Sequence, residues 1–184
     1  MAFDATYDAC VLHPAGLRDL LVRLATTGMF RAHWSTDILD EMVRSILRRR
    51  PDLTAAQLAR TRELMCAAVP DCLATGYEEL IDGLHLPDPD DRHVLAAAIR
   101  SGSQVIVTEN LSDFPAHVLQ TYNIEAQTPD VFLLHLIDLS PRAVFGAIEA
   151  QAAALRHPPV TIDELLDRLS QSGLPRSIAS LRTH

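Results

Sequence analysis

The stretch from Leu86 to Pro115 constrains the fold of this chain more than any other part of the sequence. It begins with closely spaced acids, continues with an Ala-rich segment of helical periodicity, and breaks at Gly102. The run from Gln104 to Thr108 is rich in β-branched residues and predicts a strand in the middle of a parallel sheet. A polar loop follows this strand. Because open α/β sheets bind ligands at the carboxyl ends of their strands, we expect a functional site here.

Strand and helix patterns alternate along most of the chain, which predicts βαβ units and a central parallel sheet. We predict a first strand from Phe3 to Leu12, since this run is mostly apolar. Amphipathic helices are predicted to begin near Pro14, after Ser35 or Thr36, and after the capping box that starts at Thr54.

The chain changes character at Ser140, after which only helical patterns remain. We therefore divide it into an α/β domain, residues 1–139, and a helical extension, residues 140–184. No apolar run approaches the roughly 20 residues of a membrane helix, and the N-terminus lacks the features of a signal peptide. Three cysteines without metal-site spacing favour reduced thiols, so we expect a cytoplasmic protein that does not bind membranes.

The formal net charge of −8 argues against a globally basic nucleic-acid binder. It does not exclude a nuclease, because a carboxylate pocket is itself negative until a metal fills it. All 16 basic residues are Arg, so phosphate contacts would use guanidinium groups. Arg44, Arg48 and Arg49 could form a local RNA-binding patch or a solvated helix end, and the sequence leaves both interpretations open.

Four acids, Asp8, Glu41, Asp91 and Asp113, could meet at the carboxyl edge of the predicted sheet. Three of them also have a plainer explanation: Asp8 could cap a turn, Glu41 could interact with a helix dipole, and Asp91 could cap a helix. We take Asp90 as the N-cap of the Ala-rich helix, which leaves Asp91 free for another role. Oxygen ligands suit Mg²⁺ or Mn²⁺, and such an ion can activate water for phosphodiester hydrolysis.

Other catalytic motifs are absent from the sequence. It contains no P-loop, no GxGxxG, no GxSxG and no HExxH. Because no pair among His13, His85 and His93 has helical spacing, we interpret these histidines as surface or capping residues.

Three segments in order, YDACVL, DILDEM and DPDDRHVLAAAIRSGSQVIVTENLSDFP, resemble PIN-domain nucleases, especially the VapC toxins of type II toxin–antitoxin pairs. The resemblance spans about residues 3–130. It implies a Rossmann-like α/β/α fold, Mg²⁺- or Mn²⁺-dependent cleavage of RNA, and inhibition by a small antitoxin. By this resemblance, Asp8, Glu41, Asp91 and Asp113 take the acidic positions of the metal site, and Thr108 is the hydroxyl residue beside it.

Asn110 departs from the family pattern, since many relatives carry Asp at this position. An amide keeps a carbonyl oxygen but loses the charge, so a weaker or single-ion site is one expectation. Two alternatives to a toxin ribonuclease therefore stay open. One is a catalytically weak PIN-like module that binds RNA or a partner, and the other is a small-molecule phosphohydrolase. Homodimerisation is open as well.

Overall fold

A four-stranded parallel sheet forms the centre of the computed structural model, which describes residues 2–183. Its strands are β1 (Phe3–Tyr7), β2 (Phe30–His33), β3 (Val105–Val107) and β4 (Glu125–Gln127). The spatial order is β2-β1-β3-β4, with Phe3 paired to Phe30 and Ala5 to Val105. This topology confirms the predicted α/β class and the central position of β3, and it places β2 and β4 at the edges.

Helices precede and follow the strands along the chain. Those before β3 are α1 (Ala9–Leu12), α2 (Ala15–Ala25), α3 (Thr36–Arg49), α4 (Ala55–Ala68), α5 (Glu78–Ile81) and α6 (Arg92–Ser101). Those after β3 are α7 (Ala116–Leu119), α8 (Pro129–Leu139), α9 (Pro141–Ala154), α10 (Ile162–Gln171) and α11 (Pro175–Leu181). Within residues 2–183, no helix combines the length and the apolar character that crossing a membrane requires.

The two faces of β1 pack against different helices, because successive side chains of a strand point in opposite directions. On one face, the Tyr7 hydroxyl donates to the Leu21 carbonyl of α2 at 3.1 Å, and its ring lies 6.3 Å from that of Phe132 on α8. On the other face, the Thr6 hydroxyl lies 2.8 Å from that of Ser103, two residues beyond the end of α6. The sheet is therefore covered on both sides, as the predicted α/β/α arrangement requires.

The predicted first strand is too long. It ends at Tyr7, and Ala9–Leu12 form the short helix α1. The apolar run misleads because a fully buried helix and a fully buried strand have the same composition, and periodicity cannot separate them over so few residues. The consequence for the site is that Asp8 stands at the junction between β1 and α1.

Helix starts follow the capping predictions closely. The Ser35 side chain accepts a hydrogen bond of 3.1 Å from the Ile38 N–H at the start of α3. The predicted capping box forms at Thr54, which opens α4, and a second capping box at Thr161 opens α10. These local hydrogen bonds satisfy N–H groups that have no partner within the helix.

The C-terminal helices pack against the α/β part of the chain. Gln151 of α9 is buried, and its Nε2 donates to the Gly16 carbonyl of α2 at 2.9 Å. Asp130 of α8 is also buried and accepts hydrogen bonds from the backbone N–H groups of Arg176 and Ser177 at the start of α11. These contacts anchor the helical segment at two places.

Candidate metal centre

Asp8 follows β1 directly and has only 3% of its surface exposed. Its side chain does not cap α1. Instead Oδ2 accepts hydrogen bonds from Thr108 Oγ1 at 2.7 Å and from Cys10 Sγ at 3.1 Å. Burial raises the pKa of Asp8, whereas the hydrogen bonds from Thr108 and Cys10 lower it. Since both donors are neutral, the charge of this buried carboxylate is only partly compensated.

Asp91 ends the 3₁₀ turn Pro89–Asp91 and occupies the N-cap position of α6 without making a capping hydrogen bond. The prediction that Asp90 is the cap is wrong, because Asp88 Oδ1 accepts from the Asp90 N–H at 2.9 Å and Asp90 itself is exposed. Burial, and then the nearby charge of Asp8, raise the pKa of Asp91 to about 7. Three further carboxylates, those of Asp88, Asp113 and Glu41, add to this rise.

Glu41 lies on the second turn of α3 with its carboxylate beside α6. His93 Nε2 is 3.4 Å from Glu41 Oε2, and the His93 side chain is only 16% exposed. Burial lowers the pKa of His93, but the hydrogen bond and the charge of Glu41 outweigh burial and raise it. The interpretation of His93 as a surface or capping residue is therefore wrong. The signal in the sequence that could have placed His93 at the site is its position two residues after Asp91, on the first turn of α6.

The loop after β3 supplies the other predicted residues. Thr108 is fully buried, and besides donating to Asp8 its Oγ1 accepts from the Asn110 N–H at 3.0 Å. Asn110 is exposed and precedes the 3₁₀ turn that ends at the half-buried Asp113. Cys10 Sγ lies 3.4 Å from Thr108 Oγ1 and accepts from the Glu109 N–H. Nothing in the sequence indicates this role of Cys10, which joins the ends of β1 and β3.

The four predicted acids share one electrostatic environment. The charges of Asp8, Asp113 and Glu41 all act on Asp91, and Glu41 also acts on Asp8. They do not form a closed ligand shell, since within residues 2–183 no three His, Cys, Asp or Glu side chains lie close enough together to hold a metal ion. Mg²⁺ usually takes only one or two protein carboxylates and keeps several waters. An oxygen donor set with excess negative charge fits a hydrated cation of this kind.

The arginines at the end of α3 differ in their surroundings. Arg44 and Arg48 are exposed, and neither forms an ion pair with another described residue. Arg50 is neutralised by an adjacent carboxylate. Arg49 instead contacts a histidine: its Nη1 lies 2.7 Å from His13 Nε2. The three arginines of the predicted patch therefore have no carboxylate partner among the described residues, whereas the adjacent Arg50 has one.

A parallel sheet with acids at its carboxyl edge defines the class of this protein, and the comparison with known families agrees. The family model described as the PIN domain matches residues 4–112, which is more than half of the chain. The chain belongs to the PIN-domain family, and the resemblance inferred from the three sequence segments is confirmed. A second model, the VapC50 C-terminal domain, matches residues 129–183 and thus spans most of the helical segment.

Among curated proteins, the chain is 42% identical over 109 residues to one named "Putative ribonuclease VapC50" from Mycobacterium tuberculosis strain ATCC 25618 / H37Rv. The alignment covers 59% of this chain and 63% of that relative, which is less than two thirds of its length. No solved structure gives a significant match.

Proposed function

We propose that this chain is a metal-dependent endoribonuclease of the VapC type and the toxin of a type II toxin–antitoxin pair. The observation that carries the proposal is the environment of Asp91, a half-buried carboxylate whose pKa rises to about 7 through burial and the charges of its acidic neighbours. A cation at this edge of the sheet would relieve that repulsion. Membership of the PIN-domain family and the name of the VapC50 relative support the same conclusion.

Asp8, Glu41, Asp91 and Asp113 would hold Mg²⁺ or Mn²⁺ in this proposal. When bound, the cation would supply Lewis-acid activation of water and neutralise charge on the phosphate. Thr108 would hold the Asp8 carboxylate in one orientation through its 2.7 Å hydrogen bond. His93 would do the same for Glu41. Asn110 would offer a neutral oxygen at the rim, which leaves the charge balance to the four acids.

The remaining assignments depend on this function. RNA is the proposed substrate and a cognate antitoxin the proposed inhibitor, with a homodimer as a possible assembly and the cytoplasm as the proposed location. The division into a nuclease domain, residues 1–139, and a helical extension, residues 140–184, is part of the same proposal. The contact between Gln151 and Gly16 suggests that the extension supports α2.

A catalytically weak PIN-like module is the second candidate. Asn110 in place of an acid favours it, as does the absence, within residues 2–183, of three potential ligands close enough to hold a metal. In that case the protein would bind RNA or a partner protein without turnover. A small-molecule phosphohydrolase would instead hydrolyse a chromogenic phosphate ester and leave RNA intact.

Removal of divalent metal should abolish RNA cleavage by the full chain. The assay uses end-labelled single-stranded RNA with Mg²⁺, with Mn²⁺, or with EDTA, and separates the products on a gel. We expect internal cleavage with either ion and none with EDTA, because the clustered carboxylates alone repel the phosphate. Readdition of Mg²⁺ should restore activity. Equal cleavage in EDTA would reject the metal mechanism, and binding without cleavage would favour the second candidate.

A further inference from the structure

A small basic cleft lies between the turn that joins α1 to α2 and the end of α3. Its volume is about 260 Å³, and its basic lining consists of His13, Arg18, Arg49 and Arg50, of which Arg50 is paired with Asp52. Apolar side chains, among them Ile46 and Leu53, form the rest of its wall. Positive charge is thus concentrated in a concave place on a protein whose net charge is −8.

Neutral acceptors hold the guanidinium of Arg18 in the cleft. Its Nη1 donates to the Leu12 carbonyl at 2.7 Å and to the His13 carbonyl at 3.2 Å. No carboxylate within residues 2–183 forms an ion pair with Arg18. The side chain is therefore held by neutral acceptors, and the adjacent Asp19 acts on its charge only through space, without an ion pair.

Arg49 is held in a similar way by a neutral imidazole. Burial and the adjacent charge of Arg49 lower the pKa of His13, so its Nε2 accepts from Arg49 Nη1 at 2.7 Å. Arg49 also has no carboxylate partner within the described chain. Two guanidinium groups are thus ordered before any ligand arrives, which lowers the entropic cost of binding an anion.

Three other arginines in this region differ from Arg18 and Arg49, because each forms an ion pair with a carboxylate. The pairs are Arg50 with Asp52, Arg60 with Glu63, and Arg62 with Asp40. Uncompensated charge in this region is therefore concentrated at the cleft and on the exposed face of α3.

The geometry points to a phosphate-binding subsite formed by Arg18 and Arg49, which holds the RNA backbone beside the carboxylate cluster. Arg49 stands eight residues beyond Glu41 on the same helix, a distance of about 12 Å along the axis. His13 follows Asp8 by five residues, so the cleft adjoins the cluster through both α1 and α3. The subsite binds a phosphate next to the one that is cleaved, and this assignment rests on the proposed ribonuclease function.

Planar guanidinium forks match the oxygens of a phosphate group, and Arg is suited to this role. The α2 N-terminus, which has no acid in its first turn, adds a small positive potential on the same side. An acidic peptide could also neutralise the cleft. RNA is favoured because the cleft adjoins a carboxylate cluster that is suited to phosphodiester chemistry, and because a guanidinium fork matches the oxygens of a phosphate group.

Arg49→Gln should weaken RNA binding by the metal-free full chain and flatten its salt dependence. The probe is a fluorescently labelled single-stranded RNA in EDTA, and anisotropy is measured over a range of KCl concentrations. Loss of one phosphate contact should lower the slope of log K against log salt by about 0.7 and weaken binding about fivefold at 0.1 M salt. Arg50→Gln makes the same change in net charge beside it and should stay within about twofold of wild type.

Equal effects of Arg49→Gln and Arg50→Gln would overturn the subsite. A labelled oligoglutamate that binds with the same Arg49 dependence and at least the affinity of RNA would also overturn it, in favour of an acidic peptide. The nuclease proposal is judged separately by cleavage with Mg²⁺. Arg49-dependent RNA binding without cleavage would support the subsite and reject the nuclease, whereas cleavage with Arg49-independent binding would do the reverse.

Discussion

RNA cleavage by the Asp91→Asn variant should fall more than about a hundredfold in Mg²⁺. Mutation of residues that merely orient a metal ligand typically costs 10- to 100-fold, so removal of a proposed ligand charge at the centre of the cluster should cost at least as much. The measurement is the single-turnover cleavage rate of a labelled RNA under saturating metal. Asp90→Asn is the matched control, because Asp90 is the adjacent acid, carries the same charge and is exposed. Its rate should stay within about twofold of wild type.

The same variant should be more heat-stable than wild type at pH 8 without metal, which would show that lost activity is not lost folding. Burial and neighbouring carboxylates raise the pKa of Asp91 to about 7 in the folded chain, above the value of about 3.9 in an unfolded one. The stabilising contribution of the protonated carboxyl is therefore complete below about pH 4 and is lost as the pH rises through 7. Asn avoids this loss, so the difference in melting temperature should grow from pH 4 to pH 8.

An RNA cleavage rate of Asp91→Asn above a tenth of the wild-type rate would contradict the role of Asp91.

Asp130→Ala should lower the free energy of unfolding by about 3 kcal/mol, the largest stability effect that we expect from a single polar residue. The side chain is 8% exposed and accepts from the N–H groups of Arg176 at 3.2 Å and Ser177 at 2.9 Å, and from the Ser177 hydroxyl at 2.6 Å. Its removal leaves the buried Ser177 N–H without a partner and takes the acceptor from the Arg176 N–H, whereas the Ser177 hydroxyl keeps the Asp130 carbonyl. An unpaired buried group costs about 1–3 kcal/mol. For a chain of this size the melting temperature should drop by roughly 10 °C.

Asp138→Ala provides the control for that prediction. Asp138 lies on the same helix but is exposed and close to its C-terminus, where an acid is mildly unfavourable. Chemical denaturation of this variant should give a free energy within about 0.5 kcal/mol of wild type. Asp130→Asn keeps one acceptor oxygen and should fall between wild type and Asp130→Ala. A loss below about 1 kcal/mol for Asp130→Ala would show that α11 is not held through these hydrogen bonds.

Local patterns predicted most of the fold because their causes are local. Capping boxes at Thr54 and Thr161 act within four residues, and the β-branched run at 104–108 shows its burial by composition alone. The end of β1 could not be placed in this way. Ala9–Leu12 form a helix because of the elements that pack around them. The sequence of four apolar residues does not predict those contacts.

The candidate site was predictable in its residue types but not in its contacts. Acids after strands and at helix starts indicate one edge of the sheet, yet which acid caps α6 depends on the turn at Pro89. Sequence alone could not distinguish Arg49 from Arg50, since only the folded chain shows that Asp52 neutralises one of them. For the same reason, the contact of His93 with Glu41 depends on the packing of α6 against α3.

Calorimetric titration of the metal-free full chain with Mn²⁺ tests most directly whether the four carboxylates form one cation site. We expect saturable binding to wild type at pH 8, a loss of affinity of at least about tenfold in both Asp8→Asn and Asp91→Asn, and no loss in Asp90→Asn. Absence of binding to wild type, or equal binding by all four proteins, would contradict this expectation.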